Sequence, residues 1–384
     1  MWRTDPTRFI GLAGVGVAIA ALLVNLGFLF RPGTSEVLGG LAHHAFVLGL
    51  MLILTSGSRT VSLGTLGVTW LIGVWSVFVV TFVIQDAIVS ILGSDIDGEF
   101  VVVWLAPVTE EVLKLAPVAI YLLLAGRSGH RHPSMSDGML LGFMVGAGVT
   151  FQEDAHFGEI LGSGEGWSAA SPWSTVFPTI SPLGSYFALN HALWGALSGL
   201  SIGAAVMFRH WRWIWPIALA GPLLALTNHV MANQYAFSEF GTRALVNRVS
   251  GSDVPLFYDA VRELTLGGRL PMLALIVGAI TVVIAESLIL RWVSKRDRMF
   301  PSLPLGRVLR MVTVGASKAG ALQLLAADRY LGLRRRVYFA GWQTQRAGGP
   351  PEVSDADYDE LMMLGAKLGL PTDASSPLSE TAVP

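Results

Sequence analysis

Residues 105–117 read Leu105-Ala106-Pro107-Val108-Thr109-Glu110-Glu111-Val112-Leu113-Lys114-Leu115-Ala116-Pro117, and they sit inside an apolar run from 100 to 125. About 20 residues cross a bilayer as a helix, so the run has membrane-crossing length. A charge at mid-membrane costs roughly 2.5–3.5 kcal/mol. Glu110, Glu111 and Lys114 must then pair, neutralise, or face a wet cavity inside the protein. On one helix Glu110 and Lys114 are four apart and Glu111 and Lys114 three apart, so the ammonium reaches either carboxylate. The two glutamates point about 100° apart. The spacing predicts one facing a cavity and the other tied to lysine or to a neighbouring helix. A structural ion pair pinning a helix bundle is the plain alternative.

The rest of the chain extends that reading. Of 384 residues, 52% are hydrophobic and only 14% charged, against about 25% charged in a soluble domain. The composition predicts an all-α, multi-pass membrane protein with eight transmembrane helices, near 9–30, 37–55, 66–92, 100–125, 138–160, 180–208, 214–237 and 270–293. The first run is too long, and too poor in small residues at its end, for a cleaved signal peptide. Arginines and lysines gather after spans two, four, six and eight and before span one, which places both termini in the cytoplasm by the positive-inside rule. Without cysteine there is no disulfide, thiol nucleophile or thiolate metal site.

Five regions follow: an N-terminal three-helix membrane segment (1–99), a four-helix core (100–237), an extracytoplasmic loop (238–269) with a short helix near 256–264, a last span (270–293) and a cytoplasmic tail (294–384). Gly142 and Gly146, then Gly195, Gly199 and Gly203, recur every four residues; such ridges let helices approach closely, so spans five and six should pack tightly in the bundle centre. The tail is basic over 296–336, which predicts amphipathic helices lying on anionic lipid. A short helix over 355–370 and a disordered end at 371–384 complete it.

Four successive spans carry ionisable groups: Glu110, Glu111 and Lys114, then Glu153 and Asp154, then His191, then His229. With the topology assigned, all lie roughly 10–16 Å below the outer surface at 1.5 Å per residue. That shared depth points to one buried polar site opening outward. Asn233 follows His229 by four and Trp194 follows His191 by three, each on the same helix face. His43, His44, Asp86 and Glu286 have no clustered partners and read as structural.

A desolvated carboxylate is a stronger base near neutral pH, and with imidazole it can activate a water. His229 and Asn233 can stabilise an oxyanion. Alternatively His191, His229 and Glu153 make a site for zinc or another divalent metal with an open position. Either assembly suits peptide hydrolysis. There is no His-Glu-x-x-His helix, no Gly-x-Gly-Asp motif, and Ser198 reads as helix packing.

Taken in order, Glu110-Glu111-x-x-Lys114 after Ala106-Pro107, Asp137-Gly138 leading to Phe151-Gln152-Glu153-Asp154, His191-x-x-Trp194 with Gly199, and His229-x-x-x-Asn233 resemble the PrsW family of intramembrane proteases, relatives of the CAAX prenyl endopeptidases and bacteriocin-processing proteins. The resemblance covers about 100–235. It implies a helix bundle that hydrolyses a peptide bond of a membrane-associated protein, as family members do in cleaving an anti-sigma factor on the outer side. It carries Glu110, Glu111, Glu153, His191 and His229 over as catalytic candidates and Asn233 as an oxyanion partner; Lys114 would hold a carboxylate. Two positions depart from the family pattern. Val149 stands where an aromatic is common, and Asp154 where asparagine is usual. The expected partners are a membrane-protein substrate and the lipid bilayer, with no nucleic acid. The rival readings are an ion- or proton-coupled transporter and a catalytically silent scaffold of the same fold. No inverted repeat or pair of broken helices favours the transporter.

Overall fold

The computed structural model describes residues 34–93, 97–127, 133–160, 186–209, 211, 213–236, 256–296, 318–346 and 355–370, and regular structure among them is entirely helical. Helix α1 is Thr34–Leu54. Helix α2 covers Leu63–Leu92, with a π-helical stretch at Ile72–Val77. A second π stretch, Phe100–Leu105, runs into α3 (Ala106–Arg127). Then come α4 (Met135–Ile160), α5 (His191–Met207), α6 (Ile214–Ala236), the short α7 (Leu256–Leu264), α8 (Arg269–Arg296), α9 (Lys318–Arg346) and α10 (Asp355–Lys367). The expected span at 9–30, the loop at 161–179 and the end at 371–384 lie outside the described residues.

Among the described residues, three stretches are long and apolar enough to cross a membrane: Leu63–Leu92, Ile214–Gln234 and Phe257–Val293. The third is broken by a left-handed turn at Leu266, Gly267 and Gly268, so α8 is its crossing part. Val83 and Ile91 of α2, Leu219 and Leu223 of α6, and Val277 and Leu288 of α8 point their side chains outward. Water would penalise such an apolar outer surface, whereas hydrocarbon tolerates it.

Helix α4 is the axis of the bundle, buried throughout residues 133–150. Its glycines explain how. A Cβ on Gly138 would lie 2.2 Å from the Gly199 carbonyl oxygen, one on Gly142 1.9 Å from that of Gly195, and one on Gly146 1.9 Å from that of His191. Helices α4 and α5 therefore meet backbone to backbone, which is the close packing expected of a small-residue ridge. On another face, Gly73 and Gly148 allow the same approach between α2 and α4, toward the Val145 and Trp70 carbonyls.

The start of α4 is fixed by Asp137. Its carboxylate accepts from Thr60 N (2.7 Å), Thr60 Oγ1 (2.5 Å), Val61 N (3.0 Å) and Ser134 N (2.8 Å). A fully buried carboxylate is tolerable only with its lone pairs so occupied. Glu286 of α8 adds a cap, accepting from Ser136 N at 2.9 Å. The sequence showed no clustered partner for Glu286, whereas the structure sets it fully buried against the start of α4.

Two expectations need correcting. Within the span expected over 180–208, described from residue 186 onward, residues 186–190 are non-helical and the helix starts at His191, where Asn190 caps it by accepting from Leu193 N at 3.0 Å. Asparagine at this position stops a helix from extending upstream, and apolar composition alone does not reveal that. The basic tail also does more than lie on lipid. Tyr338, Phe339 and Trp342 of α9 join the main core, and buried Arg335 donates to the carbonyls of Ser56 (2.5 Å) and Arg59 (2.9 Å). Arg59 in turn pairs with Asp328.

Candidate active site

Four helices deliver the polar groups to one place. On α3, Glu110 and Glu111 occupy successive positions and diverge as the helical period requires. Glu111 is 3% exposed and Lys114 1%. The Lys114 ammonium donates to Glu111 Oε1 at 2.5 Å and lies 2.6 Å from His191 Nδ1. His229 Nδ1 lies 2.9 Å from the same Glu111 oxygen. On α4, Glu153 Oε2 is 2.6 Å from His191 Nε2. Glu110 Oε2 is 3.6 Å from His229 Nε2 and 3.8 Å from His191 Nδ1. Glu110, Glu111, Lys114, Glu153, His191 and His229 thus converge.

The proton positions follow from donor counting. A carboxylate only accepts, so His229 Nδ1 carries the hydrogen shared with Glu111, and with the ring neutral its Nε2 lone pair faces Glu110. The Lys114 ammonium only donates, so His191 Nδ1 accepts and its Nε2–H points at Glu153. Two acceptors, Glu110 Oε2 and His229 Nε2, are left facing each other. Among the described residues Glu110 Oε2 and Glu111 Oε2 are buried without a hydrogen-bond partner. A cation, or the hydrogens of a water, would satisfy them.

Asn233 and Asp154 are placed differently. Asn233 Nδ2 donates to the Val102 carbonyl at 2.9 Å, an oxygen in the π stretch ahead of α3; an oxyanion role requires that bond to be exchanged. The side chains of Asp154 and His156 lie outside the described residues.

The donor set also differs from the one expected for a metal. Glu110, His191 and His229 each offer a ligand atom within 4.8 Å of the others, so Glu110 takes the place expected of Glu153. The 2.6 Å contact of Glu153 with His191 is a hydrogen-bond length, shorter than the separation of about 3.3 Å between two ligands on a tetrahedral zinc. The 3.6 and 3.8 Å separations around Glu110 are close to that edge. A carboxylate behind the imidazole, Glu111 on His229 Nδ1, is the usual support of a metal-bound histidine. An ion bound through His191 must displace one of that ring's two bonds, to Lys114 or to Glu153. With that exchange the residues fit.

Sequence reasoning missed Asn228. It is fully buried beside His229, and its Oδ1 accepts from Trp194 Nε1 at 2.8 Å. An amide directly beside His229 in a membrane-length helix was the available signal.

The chain matches the family model described as "PrsW family intramembrane metalloprotease" over residues 61–255, half of its length. No curated protein and no solved structure shows significant similarity to it.

Proposed function

Because the chain belongs to the PrsW family of intramembrane proteases, we propose that it is an endopeptidase that hydrolyses a peptide bond of a membrane-associated protein near the extracytoplasmic boundary, within an eight-span bundle whose termini are both cytoplasmic. Regulated cleavage of an anti-sigma-like membrane protein is the physiological role this reading favours.

The observation that carries it is the unsatisfied Glu110 Oε2 set between His229 Nε2 at 3.6 Å and His191 Nδ1 at 3.8 Å. Glu110 is the base: its free oxygen can take a proton from an attacking water. Glu111 is held on one oxygen by both Lys114 and His229, which suits a positioning group. Glu110 can then hand that proton to the leaving amine, while His191, hydrogen-bonded to Glu153, orients the group and Glu153 stands as the second acid. A divalent ion, zinc by donor type, would be held by Glu110, His191 and His229, and when bound it would supply Lewis-acid polarisation of the scissile carbonyl or acidify a water.

The test is cleavage of a tagged single-span substrate by the purified protein in lipid nanodiscs. Wild type should cut; Glu110→Gln and His191→Ala should not. Cleavage unaffected by both substitutions overturns the assignment.

A further inference from the structure

We infer that Asn228 is a positioning residue of this proteolytic site, acting through Trp194; the inference rests on the reading above. The Trp194 indole is the plate on which the site is assembled. It stacks on His229 with ring centroids 4.0 Å apart and planes 17° from parallel. It meets His191 edge-on at 5.0 Å and 83°, and the Lys114 ammonium lies 5.2 Å from its ring centroid. Three members of the polar cluster thus take their orientation from one apolar surface. Stacking alone does not fix that surface, since a ring can slide and rotate within its plane at little cost. The indole has one polar atom, Nε1, and it donates to Asn228 Oδ1 at 2.8 Å.

Asn228 is itself immobilised. The same Oδ1 accepts from Leu189 N at 2.8 Å. Its Nδ2, with two hydrogens to donate, lies within hydrogen-bond reach of Tyr186 Oη (3.1 Å), the Phe187 carbonyl (3.0 Å) and the Gly268 carbonyl (3.3 Å). Those partners belong to two non-helical stretches: the extended lead into α5 at 186–190, and the left-handed turn before α8. A Cβ on Gly268 would lie 2.1 Å from the Phe187 carbonyl oxygen, so these stretches touch backbone to backbone at the place where Asn228 ties them. Leu189 and Phe187 lead directly to His191, the first residue of α5. One amide therefore sets both the start of the helix that carries His191 and the indole that orients His191 and His229. Neither imidazole bonds to Asn228 in the network described, so the residue works on the chemistry at second hand.

Three variants test this in the full-length protein in nanodiscs: Trp194→Phe, which keeps a flat ring but removes Nε1–H; Asn228→Ala; and the double variant. Each single change should lower kcat about tenfold, the scale of a sub-ångström misplacement, with KM within about twofold because no substrate contact is removed. The double variant should be no worse than the worse single one. Additive losses, or a loss that only tracks the folded fraction, overturn the inference. A readout independent of cleavage is the Trp194 indole N–H resonance, assigned by its absence in Trp194→Phe. In Asn228→Ala it should shift and exchange faster while the other tryptophans hold still; an unmoved signal, or a general shift of all of them, also overturns it. If wild type itself does not cut the substrate, the protease reading fails, and the indole resonance still decides the case of Asn228.

Discussion

His229 is gripped by two glutamates that are neighbours in the chain: its Nδ1 lies 2.9 Å from Glu111 Oε1 and its Nε2 3.6 Å from Glu110 Oε2. The first contact has hydrogen-bond length and the second is too long for one. The consecutive carboxylates therefore have separate duties, and their substitution should separate them experimentally.

Glu110→Gln should lower kcat/KM by about 10²–10⁴-fold, the range of a lost general base, while leaving the melting temperature unchanged. Glu111→Gln removes the carboxylate paired with a 1% exposed ammonium, which should cost about 3–5 kcal/mol and lower the melting temperature. Adding Lys114→Met to Glu111→Gln should recover stability but not cleavage. Thermal unfolding and peptidase assays on the same preparations check all three.

Gly146→Ala and Gly142→Ala introduce the same clash, each with a Cβ 1.9 Å from a carbonyl oxygen of α5. Overpacking of this kind costs about 1–3 kcal/mol, and thermal unfolding should register similar losses. Activity should part company with stability. The Gly146 clash falls on His191 itself and should lower kcat at least about tenfold more than the Gly142 clash, which falls on Gly195.

Purified wild type should bind about one zinc ion, measured by elemental analysis after dialysis. His229→Ala and Glu110→Gln should each lose it. Chelation should abolish cleavage and zinc restore it. A fully active, metal-free preparation would return the chemistry to Glu110 and an unassisted water.

Arg335 ties the tail to the turn at 56–59. Arg335→Met leaves two carbonyls without their charged donor and should cost about 1.5–3 kcal/mol. It should also make α9 more sensitive to limited proteolysis, with kcat/KM within about twofold of wild type because Arg335 touches none of the polar cluster.

Much of this arrangement was legible in the sequence. The four-residue glycine spacing foretold the α4–α5 crossing because backbone approach needs only the absence of side chains. Ionisable groups on four successive apolar runs foretold a single site, since each is costly alone. The short helix near 256–264 was marked by an amphipathic run between glycines. Which carboxylate faces which imidazole was not legible: that depends on helix rotation, and it put Glu110 rather than Glu153 between the histidines. Both π stretches were invisible as well, because a single widened turn hardly disturbs an apolar pattern. Asn228 was not legible because no helical spacing links it to a second polar group of the site, whereas Asn233 stands one turn after His229.

The seam between α4 and α5 has a mechanical consequence. Where glycine meets carbonyl there are no rotamers to swing and no room for a sliding side chain, so the two helices behave as one stiff plank with His191 nailed at its edge. Whatever parts to let a polypeptide reach Glu110 has to be one of the joints made by side chains, such as that between α6 and the π stretch before α3, where Asn233 reaches across to Val102.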